Sequence, residues 1–166
     1  MTRVVVCDTG PLLHLSEAGA IHLLQQAGEI IIPALVATEF EQNAQGWKPP
    51  HWVRIQELDN LTRQKSDAWV RAKHIDGGEA VAIALALQVH ADWLLSDDAK
   101  ARQFADALGL EVHGSIGLLL WSVAAGHVGD RKHALALLDA LSNSSLWVSD
   151  RVLREARQAI DKLLSE

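Results

Sequence analysis

The chain has no tyrosine, a single cysteine and few basic residues. The lone thiol, Cys7, rules out an internal disulfide framework and indicates a reducing compartment, and its place in an apolar run marks it as a packed core thiol. With 15 Lys and Arg against 21 Asp and Glu, the net charge is −6. That balance argues against a protein that grips nucleic acid through a broad basic face, because such binding rests on Lys and Arg neutralising phosphates. It leaves room for an enzyme whose metal ions supply positive charge locally. Long apolar runs are missing too. Ala80–Leu87, the longest, falls well short of the ~20 residues that span a bilayer, and Val4–Cys7 is too short for the apolar part of a signal peptide. The expectation is a soluble, cytoplasmic protein with no membrane partner.

What is there is enough for one domain: 166 residues, 49% of them hydrophobic, can bury a real core. Val4–Cys7 and Ile30–Ile32 read as strands buried on both faces of a parallel sheet. Trp52–Gln56 alternates with a polar set that suits an edge strand, and Trp93–Leu95 and Glu111–His113 complete the series. Helices are expected between them, one opening at Pro11 and others near residues 21–26, 33–42, 62–73, 79–90 and 99–108, with a loop over 43–51. Beyond Gly114 the chain reads as wholly helical. Strands alternating with helices imply right-handed crossovers and an α/β fold whose sheet is covered on both faces. Residues 1–128 form this domain, and 129–166 are read as its C-terminal helical extension.

Acidic residues stand in unusual settings within that frame. Asp8 ends the first strand and can be a simple helix cap before Pro11. Glu39 shares a helix face with Leu35 and Val36, where a carboxylate needs a cation or a buried Arg as partner. Glu79 follows Gly77-Gly78 and is in line with Ile83 and Leu87; it also suits the first turn of a helix through the helix dipole. Asp97 and Asp98 end the fourth strand, one of them as a cap, and Asp98 is placed to pair with Arg102. Each position has an ordinary explanation alone. Together they put carboxylates along one edge of one sheet, where α/β folds bind ligands. Such a cluster repels itself unless protons or cations neutralise it, and magnesium or manganese is the economical cation. Metal-assisted chemistry on a phosphate ester follows.

The residues that carry this pattern resemble a known family. Asp8-Thr9-Gly10-Pro11-Leu12-Leu13, Ile32 to Glu39, Asp76-Gly77-Gly78-Glu79 with the apolar helix behind it, Leu94 to Arg102 and Gly114 to Leu119 are together similar to the PIN-domain nucleases, most of all the small PIN-like proteins related to VapC-type toxins. The resemblance covers residues 3–128 and, more loosely, the tail. It implies a three-layer PIN-like fold with a mainly parallel central sheet. Its metal-binding and catalytic acids fall on Asp8, Glu39, Glu79 and Asp97, with Asp98 as a further metal candidate. Thr9 and Ser96 fall where small hydroxyls assist, and Lys100 and Arg102 lie nearest the acidic edge, where phosphate contact competes with a solvated or ion-paired role. Gly10 stands where many active members carry an amide or a small hydroxyl, which removes a contact to water or substrate.

The implied activity is Mg²⁺- or Mn²⁺-dependent endoribonuclease cleavage of single-stranded RNA, leaving a 5′-phosphate, by the toxin of a toxin-antitoxin pair. Its implied partners are RNA, a small antitoxin protein and further copies of the chain. The alternative is a PIN-like module that binds a protein and cuts weakly or not at all. A haloacid-dehalogenase-like phosphatase ranks below both, since that family expects an acid where this chain has Gly10. The eight histidines show no ligand spacing, which argues against zinc, although His74 lies close to Asp76 and Glu79. His14 has no evident partner. Of six tryptophans, Trp47, Trp52 and Trp69 cluster mid-chain, with packing as their default role and base stacking as a lesser one.

Overall fold

The computed structural model describes residues 2–44 and 46–165. The five expected strands form as β1 (Val4–Cys7), β2 (Glu29–Pro33), β3 (Val53–Gln56), β4 (Trp93–Leu95) and β5 (Val112–His113). All pair in parallel in the order β3-β2-β1-β4-β5, with Val5 opposite both Ile30 and Trp93, and Leu95 opposite His113. The polar strand β3 is at an edge, as its alternation predicts. The chain builds outward from β1 to β3, then crosses back to lay β4 on the other side of β1. The crevice between the ends of β1 and β4 is therefore the point where strand order reverses.

Alternation along the strands divides the core in two. Val5, Cys7, Ile30, Ile32 and Leu95 face one layer, and Val6, Ile31 and Leu94 face the other. The first layer holds α1 (Thr9–Glu17), α2 (His22–Ala27), α3 (Ala34–Asn43), α7 (Ser115–Ala124), α8 (Arg131–Ser142) and α9 (Asp150–Leu163); the second holds α4 (Asn60–Arg71), α5 (Gly77–Gln88) and α6 (Ala99–Ala107). Leu138, Leu141 and Ile160 of the last two helices belong to the same apolar cluster as β1. The architecture is a three-layer α/β fold with a wholly parallel sheet between helices, as the resemblance implies.

Several local expectations shift. Helix α5 starts at Gly77, because Asp76 takes the position before it and both glycines fall in its first turn. Leu35 is 42% exposed, since α3 turns Val36, Ala37 and Phe40 inward instead. The loop expected over 43–51 includes Gln45, which lies outside the described residues. Trp47 packs on Phe40 at 4.3 Å between ring centroids, Trp69 on Phe104 at 5.2 Å, and Trp52 against the first layer, so all three are packing residues. Among the described residues, no helix is long and apolar enough to cross a membrane.

Candidate active site

Parallel strands with helices on both faces bring strand ends and helix starts to one edge. Asp8 follows β1 and caps α1, its Oδ1 accepting a 2.8 Å hydrogen bond from the Thr9 amide, while its own amide donates to the Leu95 carbonyl at 3.0 Å. The cap reading of Asp8 and the site reading are thus compatible. Of the pair after β4, Asp98 is the cap: its Oδ2 accepts from the Ala101 amide at 2.8 Å. Asp98 does not pair with Arg102 among the described residues, because the capping bond turns its carboxylate toward the start of α6.

Asp97 is left to point into the crevice, where three donors hold it. Its Oδ1 accepts from the Ser115 amide at 2.7 Å, and its Oδ2 accepts from the Ser115 hydroxyl at 2.6 Å and from His14 Nδ1 at 2.7 Å. Burial pushes this carboxyl up, but the bonds from His14 and Ser115 outweigh it and hold the group below the usual carboxylate range. An ionised carboxylate can only accept, so the proton of the His14 bond belongs on Nδ1. Gly114 makes the arrangement possible, since a Cβ there would stand 2.8 Å from Asp97 Oδ1.

Glu39 and Glu79 reach the crevice from α3 and α5. The Glu39 carboxylate lies against Gly78, where a Cβ would sit 3.4 Å from Oε2, so the glycine makes room for a side chain of the protein itself. Asp8, Glu39, Glu79, Asp97 and Asp98 then line one cavity of about 550 Å³, with Thr9, Gly10, His14, Leu146 and Trp147. Asp8 is 6% exposed, and its pKa is pushed up to about 7, first by burial and then by Glu79, Glu39 and Asp98, against the opposing bond from Thr9. Glu79 is also raised, by burial and by Asp98, Asp76 and Glu39. The cavity is short of positive charge.

Its chemistry fits a hard divalent cation. The donors are carboxylate oxygens, and Thr9 Oγ1 is buried with no hydrogen-bond partner among the described residues. No three His, Cys, Asp or Glu side chains among those residues already stand close enough to hold one ion directly. Carboxylate and hydroxyl oxygens are the donors that magnesium or manganese takes, and magnesium needs only one or two carboxylates from the protein. They are not the Cys and His set of a closed zinc cage.

Other candidates lie outside the cavity. Ser96 is buried beneath it, its hydroxyl accepting from the Asp98 amide at 3.4 Å. Lys100 is exposed and does not line it, and Arg102 lines the cavity next door. His74 stacks on Phe104 at 6.0 Å and is absent from the lining. His14 is one of the residues that sequence reasoning missed. Its partner lies 83 positions away. The one local signal is its place two turns beyond the Asp8 cap, on the only helix whose start carries both the first acid and the family motif.

A protein-family model described as PIN domain matches residues 4–162. Comparison with curated proteins finds no match.

Proposed function

The chain belongs to the PIN-domain family, a nuclease superfamily whose members generally depend on divalent metal, and from that premise we propose that it is a Mg²⁺- or Mn²⁺-dependent endoribonuclease. The supporting observation is the set of five carboxylates, drawn from four parts of the chain, around one cation-poor cavity at the switch point of the sheet. Asp8, Glu39, Glu79 and Asp97 would hold the metal, partly through water, with Asp98 contributing the oxygen that does not cap α6. When bound, the ion supplies charge to neutralise the scissile phosphate and to lower the pKa of the attacking water.

The chain's own groups do the rest. Asp97, fixed by Ser115 and His14, presents its charge in one orientation without further ordering. Asp8 at a pKa near 7 is poised to lose its proton to a cation in the neutral range. Thr9 lines the cavity, and its buried Oγ1 has a hydrogen bond still unused among the described residues. The resemblance to VapC-type toxins extends the proposal to the toxin of a toxin-antitoxin pair, with a small antitoxin and self-association as its partnerships.

Gly10 lines the cavity without contributing a polar group, which favours the second reading, a protein-binding module with weak or no cleavage. The deciding experiment incubates purified protein with single-stranded RNA and Mg²⁺ or Mn²⁺. Cleavage is expected, with Asp8→Asn and EDTA each abolishing it while the fold is kept. Activity that survives either treatment would place the nuclease elsewhere, and none in the wild type would favour the binding module.

A further inference from the structure

Trp147 differs from the tryptophans of the mid-chain cluster: it is 84% exposed, yet it stands in a fastened loop. The segment between α8 and α9 is tied down on both sides. Ser145 donates from its amide and hydroxyl to Glu17 Oε1 and Oε2 at 3.1 and 2.7 Å, so the end of α1 anchors it across 128 positions. The Leu146 amide bonds the Ser144 hydroxyl at 3.1 Å, and Ser149 caps α9 by accepting from Val152 at 3.2 Å. A single exposed apolar ring is ordinary on a protein surface, so it is the place of Trp147 and not its exposure that carries meaning.

The ring stands at a junction. Trp147 and Leu146 line both the acidic cavity and a second cavity of about 530 Å³, which also shares Asp97 and Ala99 and adds Arg102. Arg102 is exposed and forms no ion pair among the described residues. The two adjoining cavities thus offer acids that demand a cation, an aromatic surface and a guanidinium. A single nucleic-acid strand offers phosphates and an unpaired base to match them. A basic peptide would suit the acids but be repelled at Arg102.

We infer that Trp147 is a base-stacking platform for single-stranded RNA, placing the nucleotide next to the scissile phosphate while Arg102 holds the following phosphate. This rests on the nuclease reading, which puts the scissile phosphate at the acids. Stacking on an aromatic face tolerates any base, so the groove selects for unpaired strands more than for sequence. Duplex RNA, with its bases turned inward, presents no such face.

The test is binding of a short fluorescent RNA, followed by anisotropy with Ca²⁺ in place of Mg²⁺ to hold back turnover. Trp147→Ala is expected to weaken binding about five- to hundredfold, Trp147→Phe to restore most of it, and Arg102→Ala to weaken it with a shallower salt dependence. The effect of Trp147→Ala should vanish on a strand of the same length that is abasic at every position. Equal binding by wild type and Trp147→Ala, an equal loss on the abasic strand, or no binding by the wild type would each overturn the inference. So would a Trp147→Ala protein that keeps RNA affinity but loses a small protein partner. Trp147-dependent binding without any cleavage in Mg²⁺ or Mn²⁺ would uphold the platform and remove the nuclease reading instead.

Discussion

At the scale of single residues, Asp8 carries a penalty that the metal is expected to relieve. Its carboxyl ionises near 7 in the fold against an ordinary 3.8, so between those values the folded chain holds a proton that the unfolded chain has lost. The contribution of Asp8 to metal-free stability is therefore full below about pH 4, falls as pH rises toward 7, and levels off above. A gap of about three units corresponds to roughly 4 kcal/mol at most. Asp8→Asn keeps the capping oxygen and removes the charge, so in EDTA it should be the more stable protein at pH 8 and equal to wild type near pH 4. Glu79 shifts in the same direction, so some pH slope should remain. Denaturant melts at the two pH values check this, and a wild type as stable as the variant at pH 8 would refute it. The two glycines of the crevice give a second residue-scale contrast. A Cβ at Gly114 meets Asp97 Oδ1 at 2.8 Å, whereas at Gly10 it meets His14 Cε1 at 3.7 Å and Asp97 Cβ at 3.8 Å, ordinary contact distances. Gly114→Ala should destabilise by about 1–3 kcal/mol and displace Asp97. Gly10→Ala, inside α1, should stabilise by about 0.4–1 kcal/mol. Thermal melts of the two variants, moving in opposite directions, are the check.

At the scale of elements, strands and acids were legible in the sequence for one reason. A strand buried on both faces has no room for polarity, so Val4–Cys7, Ile30–Ile32 and Trp93–Leu95 stand out, and the acids after the first and third of them, Asp8 and Asp97, mark the sheet edge. Which acid would cap and which would face the crevice was not legible, since Asp97 and Asp98 are adjacent and alike until Ser115 and His14 claim the first. His14 was invisible because its role depends on a contact between α1 and the end of β4, and no helical period encodes a partner in another element. Trp147 was hidden for the same reason, as the Glu17–Ser145 bonds that place its loop join distant parts of the chain. The role of His14 predicts a phenotype. Groups that orient a metal-binding carboxylate typically cost 10- to 100-fold in metal affinity or activity when removed. His14→Ala should therefore lower Mn²⁺ affinity, read by calorimetry, by about that factor, while His14→Gln, able to donate to Asp97, should recover part of it. Unchanged affinity in His14→Ala would reduce the histidine to a packing residue.

At the scale of the whole molecule, a net charge of −6 combined with a cavity of five carboxylates sets how RNA can approach. A protein that binds through a basic face loses affinity as divalent ions are added, because cations on the nucleic acid compete with Lys and Arg. Here the expected sign is the opposite. Without divalent ions the cavity repels phosphate, and one or two bound ions reverse the local field while leaving the remote surface acidic. RNA affinity, measured by anisotropy at fixed total ionic strength, should therefore rise steeply from EDTA to low millimolar Ca²⁺. Asp8→Asn should blunt the rise by removing a metal-binding charge, and Lys132→Ala, at the exposed start of α8, should leave it unchanged. Tighter binding in EDTA than in Ca²⁺ would mean that RNA meets a surface other than the acidic crevice. The strand would then have to be carried by exposed Lys and Arg outside it, and the five acids would lose their place in substrate recognition.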